Sequence, residues 1–335
     1  MTARQITSTV LRTAQVADVL ALVRAARLAD GVEPLSEHVM LHLRYDSSDD
    51  GPGPDPGPSP DRKPGRDFIL TAGGDIAGYA YLDPPPPDPE SPIAESGVSG
   101  ELVIHPDRRR QGLGRALVGE LAAAAGGHTL RLWAHGDLPA AAGLARVTGF
   151  ERFRALWQMR RPLHGPLDRP VRPAGRTLRT FVPGQDEGEW LSLNGRAFAK
   201  HPEQGGWTRH DLELREREPW FDPAGFFIAE RDGRMAGFHW TKVHPPDEQD
   251  GPPDPGTPPG PPSSGLGEVY VVGVDPAEQG SGLGRALTLA GLHYLRDLGV
   301  AEVMLYADED NVPAIRMYEA LGFTRTRIDA MYRKG

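Results

Sequence analysis

Cysteine is missing from all 335 residues. That excludes disulfides, thiolate metal sites and a cysteine nucleophile, and it leaves the redox compartment open. Also missing is any apolar run of about 18 residues or more, the length a membrane-spanning helix needs. The opening MTARQITSTVLRTAQ lacks the apolar core of a signal peptide. The expectation is therefore a cytoplasmic protein with no membrane association. Excess positive charge is absent too: 37 Lys and Arg against 46 Asp and Glu leave a formal net charge of −9. This speaks against nucleic-acid binding but not against a small anionic ligand, which feels local charge first. One such basic spot is Arg108, Arg109 and Arg110. No HExxH occurs among the scattered histidines; His38 and His42 share a helix face but lack a third ligand, so no metal is expected and both read as exposed helix residues.

Glycine (41) and proline (34), by contrast, are abundant. Three low-complexity stretches, 51–65, 84–92 and 244–265, have no apolar residues to bury and read as solvated loops. Between them the chain repeats itself. DFILTAG and IAGYAYL (67–73, 76–82) form a hairpin, GVSGELVIHP (97–106) a strand and GLGRALVGELAAAA (112–125) a helix. A strand (128–135), a helix ending at a C-cap glycine (138–150) and a strand (151–159) follow. The second half gives the same series: a hairpin at 225–230 and 235–243, a strand at 267–276 and a helix at 282–299. It closes with a strand at 302–308, a helix at 311–323 and a strand at 324–332. Helical periodicity at 15–30 and 33–44, and again at 187–198 and 208–218, opens each half. The expectation is two tandem α/β domains, 1–164 and 177–335, joined by a proline-rich linker at 165–176.

The hexamer GLGRAL stands at 112–117 and again at 282–287, each time after a strand and opening a helix. Glycines there let the backbone approach a ligand, and the first N–H groups of the helix have no partners. Together with the helix dipole they form a site that a pyrophosphate fits. Alone the GxG pattern is weak, since it serves equally as a tight turn. Neither a GxGxxG after a first strand nor a GK[ST] is present, which removes the two common nucleotide loops.

The run Gln279–Gly284, followed by Asn311, Ala314, Tyr318, Gly322 and Phe323, resembles the signature of GCN5-related N-acetyltransferases. Arg109–Gly114 and Gly149-Phe150 carry part of it in the first half. The resemblance implies two such domains in tandem, each a mixed, mostly antiparallel sheet flanked by helices, with acetyl-CoA as co-substrate. In the second domain it implies cofactor contacts from Val272, Gly273 and Val274 on the central strand. The loop contributes Gln279, Gly280, Ser281, Gly282, Leu283, Gly284 and Arg285, and the last helix Asn311, Val312, Pro313, Ala314, Ile315 and Arg316. The matching positions of the first domain are Leu102, Val103 and Ile104, then Arg110, Gln111, Gly112, Leu113, Gly114 and Arg115.

Longer strings, HPEQGGW (201–207), FHWTKVHP (238–245) and GLGEVYVVGVDP (265–276), are similar to the mycothiol synthase family of tandem acetyltransferases. That resemblance implies acetyl transfer to the cysteinyl amine of 1D-myo-inositol 2-(L-cysteinylamino)-2-deoxy-glucopyranoside. Glu268 becomes the candidate base and Tyr318 the candidate acid for the leaving thiolate. Glu37, Glu203, Lys242, Glu268 and Tyr306 become the substrate contacts. As lone residues these would read as surface or core positions. Aligning Gly149-Phe150 with Gly322-Phe323 puts Ala145 opposite Tyr318, while Glu101 falls roughly opposite Glu268. The first domain is thus expected to hold acetyl-CoA without turning it over. A monomer acting on a small molecule is expected; another amine acceptor, or a non-catalytic acetyl-CoA sensor, stays open.

Overall fold

The computed structural model describes residues 4–46, 65–85, 97–171, 173–244 and 265–334. The proline-rich stretches at 51–65, 84–92 and 244–265 fall almost wholly outside them. The chain forms two units, Met1–Leu156 with Arg327–Gly335, and Trp157–Thr326. This division differs from the expected linker at 165–176. The crossing lies inside strand β6 (Glu151–Pro162), and the chain returns inside the last strand, β12 (Thr324–Lys334). The physical reason is local: ERFRALWQMRRP contains no breaker before Pro162, so the strand runs on past the point where the first unit ends.

In the first unit, β1 (Arg4–Ser8), β2 (Arg66–Ala72), β3 (Asp75–Leu82) and β4 (Val98–Ile104) pair antiparallel in that order. β5 (Leu130–Ala134) joins β4 in parallel, and Ala330–Lys334 of β12 pair antiparallel with β5. Alternation along β3 divides its side chains between two cores. Ala80 and Leu82 pack with Leu113, Leu117 and Leu121 of α3 (Leu113–Ala124). Tyr79 and Tyr81 pack with Val19, Leu22 and Val23 of α1 (Thr13–Asp30) and with Val39 of α2 (Glu37–Leu41). Each such aliphatic side chain contributes about 1.5–3 kcal/mol by leaving water. Helix α4 (Pro139–Thr148) follows β5 and stops at Gly149, left-handed at φ 77°.

The second unit repeats the plan. β7 (Thr177–Thr180), β8 (Phe226–Arg231), β9 (Arg234–His244) and β10 (Leu266–Val274) are antiparallel neighbours. β11 (Glu302–Asp308) runs parallel to β10, with β6 beyond it. Here too alternation along β9 sorts the faces. Phe238 and Trp240 enter an aromatic core with Trp190 of α5 (Glu187–Ala197) and Leu212 of α7 (Arg209–Glu216). His239 points the other way, its Nδ1 2.8 Å from the Leu287 carbonyl of α8 (Leu283–Asp297). Helix α8 can lie this close because residue 291 is glycine: a Cβ there would meet His239 at 2.0 Å. Burial lowers the His239 ring to about 4, so it stays neutral.

The repeated elements read from the sequence are present within a few residues of their expected ends. β1, β7 and the four-residue α6 (Pro202–Gly205) were not anticipated. RQITS and TLRT are short edge strands with most side chains exposed, so neither carries an apolar alternation. Among the described residues, no helix is long and apolar enough to cross a membrane.

Candidate functional site

The glycine loop of the second unit begins where Asp275 accepts from the Ala277 N–H at 3.0 Å, starting a tight turn at Pro276–Glu278. Gly280 and Gly282 then adopt φ of +77° and +84°, a region that residues with a Cβ rarely enter. The first hydrogen bond of α8 runs from the Ala286 N–H to the Gly282 carbonyl, at 3.1 Å. The Gly284 and Arg285 amides therefore have no intrahelical acceptor and open at the positive end of the helix. The buried Glu278 carboxylate braces this turn from beneath, accepting from Arg176 at 3.1 Å and from Arg231 at 2.8 Å. None of these three residues was anticipated as part of the loop. The Arg285 guanidinium pairs with Asp168 at 2.6 Å.

Beside the loop the sheet splays. β10 and β11 pair from Leu266↔Glu302 only as far as Val269↔Leu305, although β10 continues to Val274 and β11 to Asp308. On its other edge β10 stays paired, with Val272, Gly273 and Val274 opposite His239, Phe238 and Gly237 of β9. The edge of Val272–Val274 that faces β11 thus lacks a ladder, which suits an extended chain carrying amide groups. With the loop's unpartnered N–H groups, this donor set fits a pantetheine–pyrophosphate ligand such as acetyl-CoA.

Helix α9 (Val312–Ala320) follows β11. Asn311 caps it, accepting from the Ala314 N–H at 3.3 Å, and Pro313 occupies its first turn. Two of the expected cofactor residues therefore also shape the helix start. Tyr318 is buried beside Phe323, with ring centroids 5.8 Å apart. Burial pushes its hydroxyl up to about 12, so it keeps its proton throughout the neutral range.

One face of the sheet gathers three of the expected substrate residues of this unit. Glu268 lies between Lys242 of β9 and Met304 of β11, and Tyr306 follows on the same face. Glu268 is buried, and His244 Nε2 lies 2.7 Å from its Oε2. A bulge between Val269 and Val271 projects Tyr270 next to Lys242. The Lys242 ammonium sits 4.4 Å from the Trp220 ring centre and 5.1 Å from that of Tyr270. The Tyr270 hydroxyl in turn accepts from Arg215 at 2.7 Å. Tyr306 is half exposed and takes a hydrogen bond from Gln158 at 2.9 Å. Glu203 stands on α6, whose neighbour His201 pairs with Asp308 at the end of β11, at 3.1 Å. Glu37 belongs to the first unit, where it opens α2. His244, Gln158, Arg215, Trp220 and Tyr270 were not anticipated.

The first unit keeps the loop but changes the chemistry. Gly112 adopts φ +81°, and Arg110, where the second loop has Gly280, is also left-handed at φ 63°. Arg109 is not a free cation: it makes two 2.7 Å bonds to Asp30. The sheet splays after Gly100↔Leu132, leaving a cleft of about 570 Å³. Leu102, Val103, Ile104, Arg110, Gly112, Leu113, Gly114 and Arg115 line it, whereas Gln111 does not. The helix alignment holds in detail. Phe150 N–H bonds to Ala145 O at 2.9 Å just as Phe323 N–H bonds to Tyr318 O at 3.0 Å. Ala145 therefore does occupy the tyrosine's place.

The expected match of Glu101 with Glu268 needs correction. By strand register the position of Glu268 is held in the first unit by Ser99, which is buried and pairs with Arg131 of β5 as Glu268 pairs with Met304 of β11. β4 lacks the bulge of β10, and Glu101, opposite Tyr81, lies one pleat nearer the loop, at the place that Val271 takes opposite Trp240. Its carboxylate accepts from the Ser36 N–H at 2.6 Å and lies 3.6 Å from His135. His135 bonds on its other side to Asp329 at 3.0 Å. Burial works against the charge on both residues, but Asp329 and Glu101 outweigh it for His135, and His135 and Ser36 outweigh it for Glu101. The Glu101 carboxyl is held below its ordinary range, and His135 is pushed up to about 10. Glu101 is thus half of an ion pair rather than an open base. Nor is His42 an exposed helix residue: it is buried, with both Asp67 oxygens 3.1 Å away, and His38 lies 3.0 Å from Asp83.

A model described as "Acetyltransferase (GNAT) family" matches residues 192–323, and one described as "Acetyltransferase (GNAT) domain" matches residues 64–152. The chain is 55% identical over 318 residues to the mycothiol acetyltransferase of Thermobispora bispora, covering 94% of this chain and 95% of that one. With the mycothiol acetyltransferase of Thermomonospora curvata it shares 53% over 320 residues, covering 95% and 93%. Among solved structures, a tandem GNAT protein from the clavulanic acid biosynthesis pathway superposes with a TM-score of 0.68. That match covers 99% of this chain and 98% of the other at 23% identity, and so speaks to the fold alone. The chain belongs to the mycothiol acetyltransferase family, and each of its two units carries the GCN5-related N-acetyltransferase fold.

Proposed function

We propose that the second unit transfers the acetyl group of acetyl-CoA to the cysteinyl amine of cysteinyl-glucosaminyl-inositol, the acetylation that yields mycothiol. The observation that carries this is the asymmetry between the units. A buried carboxylate at the splay, Glu268, and a protonated buried tyrosine, Tyr318, occur together in the second unit. Ser99 and Ala145 hold the matching places in the first. Membership of the mycothiol acetyltransferase family supports acetyl transfer in mycothiol chemistry.

Acetyl-CoA supplies an activated thioester, so the acceptor nitrogen bonds to the acetyl carbon as the carbon–sulfur bond breaks. The loop amides at Gly284 and Arg285 hold the pyrophosphate end, and the open edge of Val272–Val274 aligns the acyl arm and polarises its carbonyl. Glu268 takes the proton from the acceptor amine, directly or through a water. Tyr318 Oη donates its hydrogen to the departing sulfur. Lys242, Tyr306 and Glu203 supply polar groups suited to a hydroxyl-rich acceptor, and Glu37 is assigned to it by the same family pattern. The first unit, with an intact cleft but neither acid nor open base, holds acetyl-CoA without turnover.

CoA release from acetyl-CoA, with products identified by mass, is to be measured with the cysteinyl compound and a panel of other amines. Selective N-acetylation of the cysteinyl compound is the expected result. Turnover of a different amine in its place would remove the named acceptor while keeping the chemistry. Binding without turnover of any amine would overturn the enzymatic reading.

A further inference from the structure

His244 ends β9 on the same face as Lys242, opposite Leu266 and diagonal to Glu268 across the ladder. The hydrogen bond between its Nε2 and Glu268 Oε2, 2.7 Å long, plays no part in the steps above. We propose that His244 is a positioning residue of the acetyl-transfer site, fixing the carboxylate that receives the amine proton. The inference rests on Glu268 being that base.

An ionised carboxylate only accepts hydrogen bonds, so Nε2 carries the hydrogen of this pair. With Oε2 engaged, Oε1 is the oxygen left to face the acceptor. Glutamate has three rotatable bonds, and a base displaced by about 1 Å loses on the order of a hundredfold in rate. A second contact is what removes that freedom. Lys242, directly across the ladder, has its ammonium over the Trp220 and Tyr270 rings, so the diagonal histidine is the partner at hydrogen-bond distance. The His244 side chain is 32% exposed against 8% for Glu268, so the ring is the more open member of the pair.

The test is a double-mutant cycle on the full chain, with kcat and KM measured for both substrates. His244→Ala should lower kcat by roughly tenfold to a hundredfold, short of the 10²–10⁴ that a base itself supplies. KM should change little, and His244→Gln, which keeps an N–H donor, should recover most of the loss. In a Glu268→Gln background His244→Ala should cost nothing further, because the carboxylate it orients is gone. An unchanged acetyl-CoA affinity and melting temperature confirm that the variants are folded. A fully active His244→Ala beside an impaired Glu268→Gln overturns the positioning role alone, as does an additive loss in the double variant. A fully active Glu268→Gln overturns the base assignment and the positioning role with it.

Discussion

At the scale of single residues, the proposed acid step turns on Tyr318 and its counterpart Ala145, of which only the first carries a hydroxyl. The same backbone hydrogen bond, Phe323 N–H to Tyr318 and Phe150 N–H to Ala145, fixes the two at equivalent places. Tyr318→Phe keeps the ring packing against Phe323 and removes only the donor. We expect kcat to fall on the order of a hundredfold, with acetyl-CoA affinity unchanged in a calorimetric titration. Wild-type turnover would remove the acid role. His135 gives a prediction of a different kind. Its folded value of about 10 lies above its ordinary 6.5, so its contribution to stability is full below pH 6.5 and is lost as pH rises toward 10. Glu101, held below its ordinary 4.5, contributes above that value and loses its contribution as pH falls through the lowered one. The thermal stability of the first unit should therefore fall between pH 7 and 10. His135→Gln should flatten that slope, and an unaltered slope would show that the pairing with Asp329 and Glu101 contributes nothing.

At the scale of elements, the two glycine loops share one backbone path with different residues on it. Gly282 is left-handed with nothing within 4 Å of a would-be Cβ. Gly282→Ala thus meets no steric clash, only a backbone cost of roughly 1–2 kcal/mol. If the loop relaxes to escape that cost, its amides turn away, and acetyl-CoA affinity in the second unit should drop about tenfold, equivalent to about 1.4 kcal/mol. The first loop offers the reverse experiment. Arg110 bears its side chain in the left-handed region, where the second loop uses Gly280. Arg110→Gly should raise the melting temperature of the first unit, by the equivalent of up to about 1 kcal/mol. Lower stability would mean that the arginine side chain contributes more than its backbone strain costs. The elements themselves were legible because hairpin, strand and helix each imposed its own period on the residues. His244 was legible only in part: its spacing from Lys242 puts both on one face, but nothing local says that Glu268 lies diagonally across. The Tyr270 bulge was invisible because no glycine marks it, and Glu101 seemed to match Glu268 because a Gly-Glu pair stands in both strands, at 100–101 and 267–268.

At the scale of the whole molecule, the chain does not divide where its prolines suggest. Arg327–Gly335 count with the first unit, where they supply the strand beside β5 and the Asp329 partner of His135. A fragment of residues 1–164 should accordingly unfold well below the first unit of the intact chain. Joining 327–335 to it through a flexible linker should restore much of the loss, as read by thermal melting. Equal stability of the two fragments would show the last strand to be dispensable. From the sequence alone came the tandem repeat, both glycine loops, the loss of the tyrosine at Ala145 and the family pattern that singles out Glu268 and Tyr318. All of these depend on residue type and short spacing, which the chain carries openly. Only the tertiary structure decided that Glu101 is tied up with Ser36 and His135, that His244 meets Glu268, and that the last strand belongs with the first unit. Those depend on strand register and on contacts between residues far apart in sequence, where one bulge or one continued strand changes which side chains meet.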